Sequence, residues 1–145
     1  MEDKKYTLTC NEKQLRLIAK AVEMHSRAIC GQIEESFSPP IHKELWKIYE
    51  SGDEDSFFRK RAAVETLLNE VKREIWGYSP GQGGGIGYDD EADLGYEMYK
   101  QILHTFEKER QAECDKKGEE YSWNVHTSEP LKLTEEPFIK VSLDE

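Results

Sequence analysis

The chain has few cysteines, no long apolar run, no excess of positive charge and no recognisable catalytic signature. Each shortage removes a class of protein. Its three cysteines, Cys10, Cys30 and Cys114, are odd in number and widely separated. They draw neither a disulfide framework nor a CxxC metal pair, which points to a reducing cytosol. No stretch approaches the ~20 apolar residues that a helix needs to cross a bilayer. The N-terminus, Met1 to Lys5, is charged with no apolar run behind it, so no targeting segment and no membrane partner are expected. Twenty Lys and Arg against thirty Asp and Glu leave a formal charge of -10. Binding to a nucleic acid duplex needs a basic face. The one basic cluster, Arg59-Lys60-Arg61, opens a helix that also carries Glu65, Glu70 and Glu74, so a duplex is not the expected partner.

Catalytic machinery is also missing. There is no GxSxG, and His25, His42, His104 and His126 stand apart in sequence. His25 falls on an apolar stripe, the ordinary place of a satisfied core imidazole. No HExxH, HxH or DxDxDG pattern offers a metal site. The expectation is a protein without catalytic residues, metal or cofactor.

What the chain does contain is helical periodicity. With 145 residues it is expected to form one domain, and three Trp, seven Tyr and five Phe argue against disorder despite the high charge. Asn11 and Gln14 make a capping-box pattern. Behind them Leu15, Ile18, Val22 and Ile29 form one stripe, continued by Ile33 and Phe37, and Leu17, Ala21, Met24 and Ala28 form a second. A single helix over 11–37, apolar on most sides, belongs inside a domain or an assembly. Gly31 within it is either a close-packing point or the place where the helix bends or ends. Ser38-Pro39-Pro40 reads as a stop and a new start. Ile41, Leu45 and Ile48 mark a second helix, Phe57 to Ile75 a third, and Leu94 to Phe106 a fourth that begins at Asp89-Asp90 and ends near Gly118. Tyr6 to Cys10 alternates as a strand does, and Trp123, Val125, Leu131, Leu133, Ile139, Val141 and Leu143 suggest further short strands. The predicted fold is α+β. A mainly helical body at 11–118, with a Gly-rich loop at 77–88, carries a small antiparallel sheet from an N-terminal strand (1–10) and C-terminal strands (119–145).

The loop Gly77 to Tyr88 is half glycine. It fits neither GxxxxGK[ST] nor GxGxxG. It reads either as a flexible connector with an acidic N-cap or as backbone that can approach an anion. Arg27 is either the exposed partner of Glu23 or an anion clamp with Gln32 one turn on. Tyr88, Tyr96 and Tyr99 lie near the glycines and are either core rings or stacking surfaces for a base.

Two segments together resemble a family. Ser26-Arg27-Ala28-Ile29-Cys30-Gly31-Gln32, after a short strand and a long helix, is one. Gly84-Gly85-Ile86-Gly87-Tyr88, followed by Gly95-Tyr96-Glu97-Met98-Tyr99-Lys100-Gln101-Ile102, is the other. Both resemble the first family of phage Thoeris anti-defence proteins, sponges that sequester a cyclic ADP-ribose isomer. Some members also hold cyclic oligonucleotides. The resemblance implies a phage-encoded, non-catalytic protein of the host cytoplasm that blocks bacterial anti-phage defence, and a homo-oligomer in which the first helix meets a second subunit. It implies that Arg27 and the loop around Gly85–Tyr88 approach the ligand, and the candidate ligand set on this chain is Arg27, Gln32, Gly84, Gly85, Ile86, Tyr88, Tyr96, Tyr99 and His104. Two places depart from the family pattern. Gly84 stands where an aromatic residue precedes the Gly-Ile pair, and Leu103-His104 stands where an arginine ends the tyrosine-containing helix. The other reading of the residues is an acidic adaptor or nucleic-acid mimic that inhibits a host protein.

Overall fold

A computed structural model of the chain describes residues 3–143. It consists of α1 (Glu12–Ile29), α2 (Ile33–Glu50), α3 (Glu54–Trp76) and α4 (Asp90–Lys117). Local chemistry sets the ends. Asn11 Oδ1 accepts from Gln14 N and Gln14 Oε1 accepts from Asn11 N, each at 2.9 Å, closing the capping box. Asp53 and Asp89 cap α3 and α4 by accepting from Ser56 N and Ala92 N. Gly77 and Gly118, both left-handed, terminate those two helices.

The helices pack as an open row. α1 lies along α4, α2 lies along α3, and α1 meets α2; among the described residues α3 touches no other helix than α2. No single enclosed core forms, and the buried apolar side chains are few, chiefly Ala19, Ile33, Leu45, Phe57 and Ile102. α1 and α4 are tightly packed where Gly95 faces Ser26: a Cβ at Gly95 would stand 2.1 Å from Ser26 Oγ and 3.2 Å from Val22 Cγ1. α2 and α3 are joined by a buried ion pair. Lys72 is wholly inaccessible and its Nζ donates to Glu34 Oε1 at 2.6 Å. Burial raises the Glu34 pKa, but the hydrogen bond and charge of Lys72 outweigh it and hold the carboxyl below its usual value.

The row leaves apolar surface open. Leu17 is 67% exposed, Leu67 60% and Ile75 70%. Between α2 and α3 runs a groove of about 570 Å³ lined by Phe37, Pro40, Ile41, Ile48, Val64 and Leu67, among others. No helix among the described residues is long and apolar enough to cross a membrane.

Three expectations need correction. The fold is not α+β, since the described residues contain no strand and no sheet. Tyr6 and Leu8 have the alternation of a strand but are 88% and 71% exposed. The segment after Gly118 is held by side-chain contacts instead of a ladder. Met1, Glu2, Asp144 and Glu145, the outer ends of both expected strand regions, lie outside the described residues. Second, the helix expected over 11–37 ends at Ile29, because Gly31 adopts φ +73° and turns the chain. Third, Pro39 and Pro40 start no new helix. They lie inside α2, between buried Ile33 and Ser36 on one side and buried Leu45 on the other, and that packing carries the helix across the missing N–H groups.

Gly95→Ala forces a methyl into the α1–α4 contact. It should lower stability by about 1–3 kcal/mol, read as a melting temperature several degrees lower in a thermal scan.

Candidate functional site

The site is built on the turn between α1 and α2. Cys30 and Gly31 leave the helix, with Gly31 N bonded to Ala28 O and Gln32 N to Arg27 O. Gln32 is the N-cap of α2 but makes no side-chain cap. Its amide serves elsewhere: Oε1 accepts from Arg27 Nη1 at 2.9 Å, and Nε2 donates to Gly84 O at 2.8 Å. Gly84 N in turn donates to Cys30 O at 2.7 Å. Two bonds therefore fasten the glycine loop to the α1–α2 turn, and one of them passes through the side chain that holds Arg27.

Close packing accounts for several glycines. A Cβ on Gly83 would come within 2.5 Å of Gln32 Cγ, and one on Gly84 within 2.5 Å of Tyr88 Cγ. A Cβ on Gly31 would meet the rings of Tyr78 and Trp76 at 2.9–3.0 Å, a contact that adds to its left-handed backbone. The loop thus meets the start of α2 at Gly83 and buries Gly84, while the residues on either side are exposed, Ile86 by 66%. Tyr88 lies with its ring over buried Gly84 and is itself 49% exposed.

Much of the loop's hydrogen-bonding capacity is already used. Gly87 N donates to both oxygens of buried Asp93, at 2.9 and 3.1 Å, and Tyr88 N donates to Gly85 O. At the start of α4, Asp89 already accepts from Ala92 N, while the Asp93 carboxylate is taken up by Gly87. The N–H groups of Gly83, Gly85 and Ile86 have no acceptor among the described residues. Arg27 gives Nε to Glu23 Oε1 at 2.9 Å and Nη1 to Gln32, in a pair whose side chains are 35% and 22% exposed. Its Nη2 has no acceptor among the described residues.

Tyr99 extends this cluster. Burial, then the adjacent Glu23 carboxylate, pushes its hydroxyl pKa up, so it remains a phenol. Tyr96 lies 6.1 Å from it, ring to ring, and the Lys100 ammonium sits over both rings. His104 is placed differently. It is 6% exposed, and its Nδ1 bonds the carbonyl of His126 at 2.9 Å in the segment after α4. The structure thus brings together Arg27, Gln32, Gly84 and Tyr88, connects Tyr99 to them through Glu23, places Gly85 and Ile86 on the exposed tip, sets Tyr96 beside Tyr99, and turns His104 toward the C-terminal segment.

That segment depends on a residue of the second motif to which the resemblance assigns no role. Glu97, 2% exposed in the middle of α4, accepts from Lys132 Nζ at 2.8 Å, Leu133 N at 2.7 Å and Thr134 N at 3.0 Å. Lys132 also donates to the carbonyls of Thr134 and Glu136. Burial raises the Glu97 pKa, but these donors outweigh it and hold the carboxyl below its usual value. Glu97 stands inside the Gly95–Ile102 motif, but nothing in that motif marks it as the anchor of the C-terminal segment.

No described protein family, curated protein or solved structure matches the chain.

The Glu97 clasp sets a pH dependence. A carboxyl whose folded pKa lies below the unfolded value of 4.5 contributes stability that is complete above pH 4.5 and lost as pH falls through the folded value. Glu97→Gln should cost about 2 kcal/mol at pH 7, and the gap to the parent should close as the pH is lowered below 4.5 in denaturant titrations.

Proposed function

We propose that the chain is a non-catalytic binding protein that sequesters a small cyclic nucleotide signal, a cyclic ADP-ribose isomer or a cyclic oligonucleotide. In this reading it is a phage-encoded inhibitor of bacterial anti-phage defence, acting in the host cytoplasm. The observation that carries it is the Gln32 bridge, which sets the Arg27 guanidinium and the glycine loop on one surface. A pyrophosphate is recognised by a guanidinium in a charge-assisted, geometrically specific way. Arg27 has Nη2 to offer, and Gly83, Gly85 and Ile86 have backbone N–H groups. Both come from neighbouring parts of the fold.

Tyr88 supports the same reading. One face of its ring lies on Gly84 and about half of its surface is open, the arrangement of a platform for a purine. In this chain the glycine that replaces the family's aromatic residue makes room for the ring of Tyr88. Sequestration needs tight binding without bond cleavage, and the proposal assigns no catalytic role to any residue.

Arg27→Ala should raise the dissociation constant for a cyclic ADP-ribose isomer at least about tenfold, the size of one lost charge-assisted hydrogen bond, while the circular dichroism spectrum stays unchanged. After heat denaturation of the loaded parent protein, chromatography should recover the ligand intact. Recovery of a cleaved product, or undiminished binding by the variant, would count against the proposal.

The protein is also proposed to be a homo-oligomer, because an open row of helices leaves Leu67, Val71 and Ile75 of α3 exposed at helical spacing. The double change Leu67→Glu, Val71→Glu should shift the mass measured by light scattering to that of one chain. A parent protein that already runs as one chain refutes the oligomer.

A further inference from the structure

The segment after α4 contains a turn whose hydrogen bonding far exceeds what its burial requires. Between Tyr121 and Thr127 there is no helix and no strand. Trp123 and Val125, its largest apolar side chains, are 68% and 67% exposed. Polar contacts hold it instead. Tyr121 donates to Glu107 at 2.9 Å and bonds Thr127 Oγ1 at 3.0 Å, and Arg110 donates to Ser122 O at 2.8 Å. His126 is fixed at both backbone atoms: its N–H donates to Asn124 Oδ1 at 2.8 Å, and its carbonyl accepts from buried His104 at 2.9 Å.

The common result of these contacts is the placement of one ring. His126 meets Tyr99 edge to face, with ring centroids 6.1 Å apart and planes at 84°, an arrangement favoured by the aromatic quadrupole. Burial, then the Lys100 ammonium, holds the His126 pKa below its ordinary value, so the ring facing Tyr99 is neutral. The Glu23 carboxylate is near enough to the Tyr99 hydroxyl to raise its pKa, and it accepts from Arg27 Nε at 2.9 Å. A free arginine side chain carries about 2 kcal/mol of rotamer entropy, so a guanidinium presented in one orientation needs rigid partners. Gln32 is held by the glycine loop, whereas among the described residues of α1 the side chain bonded to Glu23 is Arg27 itself.

We infer that His126 is a positioning residue for Arg27: the C-terminal turn presses its ring on Tyr99 and, through Tyr99 and Glu23, fixes the guanidinium that faces the glycine loop. Its meaning for ligand binding rests on the proposed function, but the placement of Arg27 does not. The support of Arg27 thus extends into the chain segment with the least regular structure, and His104 contributes by fixing the His126 carbonyl.

The test compares His126→Ala with His126→Phe in the full chain, because phenylalanine keeps a flat ring against Tyr99. Two readouts are taken: the rate at which the Arg27 Nε–H exchanges with water by NMR, and the affinity for a cyclic ADP-ribose isomer by calorimetry. His126→Ala should speed exchange and weaken binding by about tenfold each, and His126→Phe should restore both to within about twofold. If the alanine variant does not fold, Tyr99→Phe, which keeps the ring and removes the hydroxyl, should show the same faster exchange. Unchanged Arg27 exchange in the variant that folds, or a phenylalanine variant as impaired as the alanine one, overturns the inference. Exchange that responds as expected in a parent protein that ignores the nucleotide would sink the ligand reading and leave the positioning role intact. A parent that binds, with Arg27 indifferent to His126, would do the reverse.

Discussion

One side-chain amide ties the molecule together at its centre. Gln32 opens α2 yet leaves the helix end uncapped, and it uses its oxygen on Arg27 and its nitrogen on Gly84. An amide can do this because it is donor and acceptor at once. A glutamate at 32 would repel the Gly84 carbonyl, and a lysine would repel the guanidinium. The turn at Gly31 sets this amide between the two groups, so α1, α2 and the long loop before α4 converge on one point.

The helices were largely legible because their signals are local. The Asn11–Gln14 box, the aspartate at 89 and the glycine at 118 act over three or four residues, and the structure uses each as the pattern implied. Gly31 was ambiguous for a physical reason. A glycine inside an apolar periodicity signals close packing or a turn, and here it is both, left-handed and pressed by the rings of Trp76 and Tyr78. The sheet failed because alternation in Tyr6–Cys10 and in the C-terminal stretch describes which faces a strand would show, not whether a partner strand exists. The N–H groups of Leu133 and Thr134 found a buried carboxylate instead. No pattern in a sequence announces that Glu97, 35 residues from Lys132, will be that carboxylate.

The candidate site was legible in part. Arg27, Gln32 and the glycines fall together as the two motifs together implied. Of the groups around them, Glu23 stands one helical turn before Arg27 and Tyr99 falls in the second motif, whereas His126 comes from a distant stretch and carries no spacing signal. Glu23 read as an exposed ion-pair partner, but at 22% exposure it is a partly buried support that holds Arg27 on one side while Gln32 holds it on the other.

The C-terminal segment is attached in an unusual manner. Its polar groups face α4 while Trp123, Val125, Leu131 and Leu143 face outward. Heat capacity changes on unfolding come chiefly from hydrating apolar surface, and detaching this segment hydrates little of it. Its grip is thus enthalpic, without the curvature that makes apolar cores fail in the cold. Warming therefore loosens it through its hydrogen bonds and ion pairs.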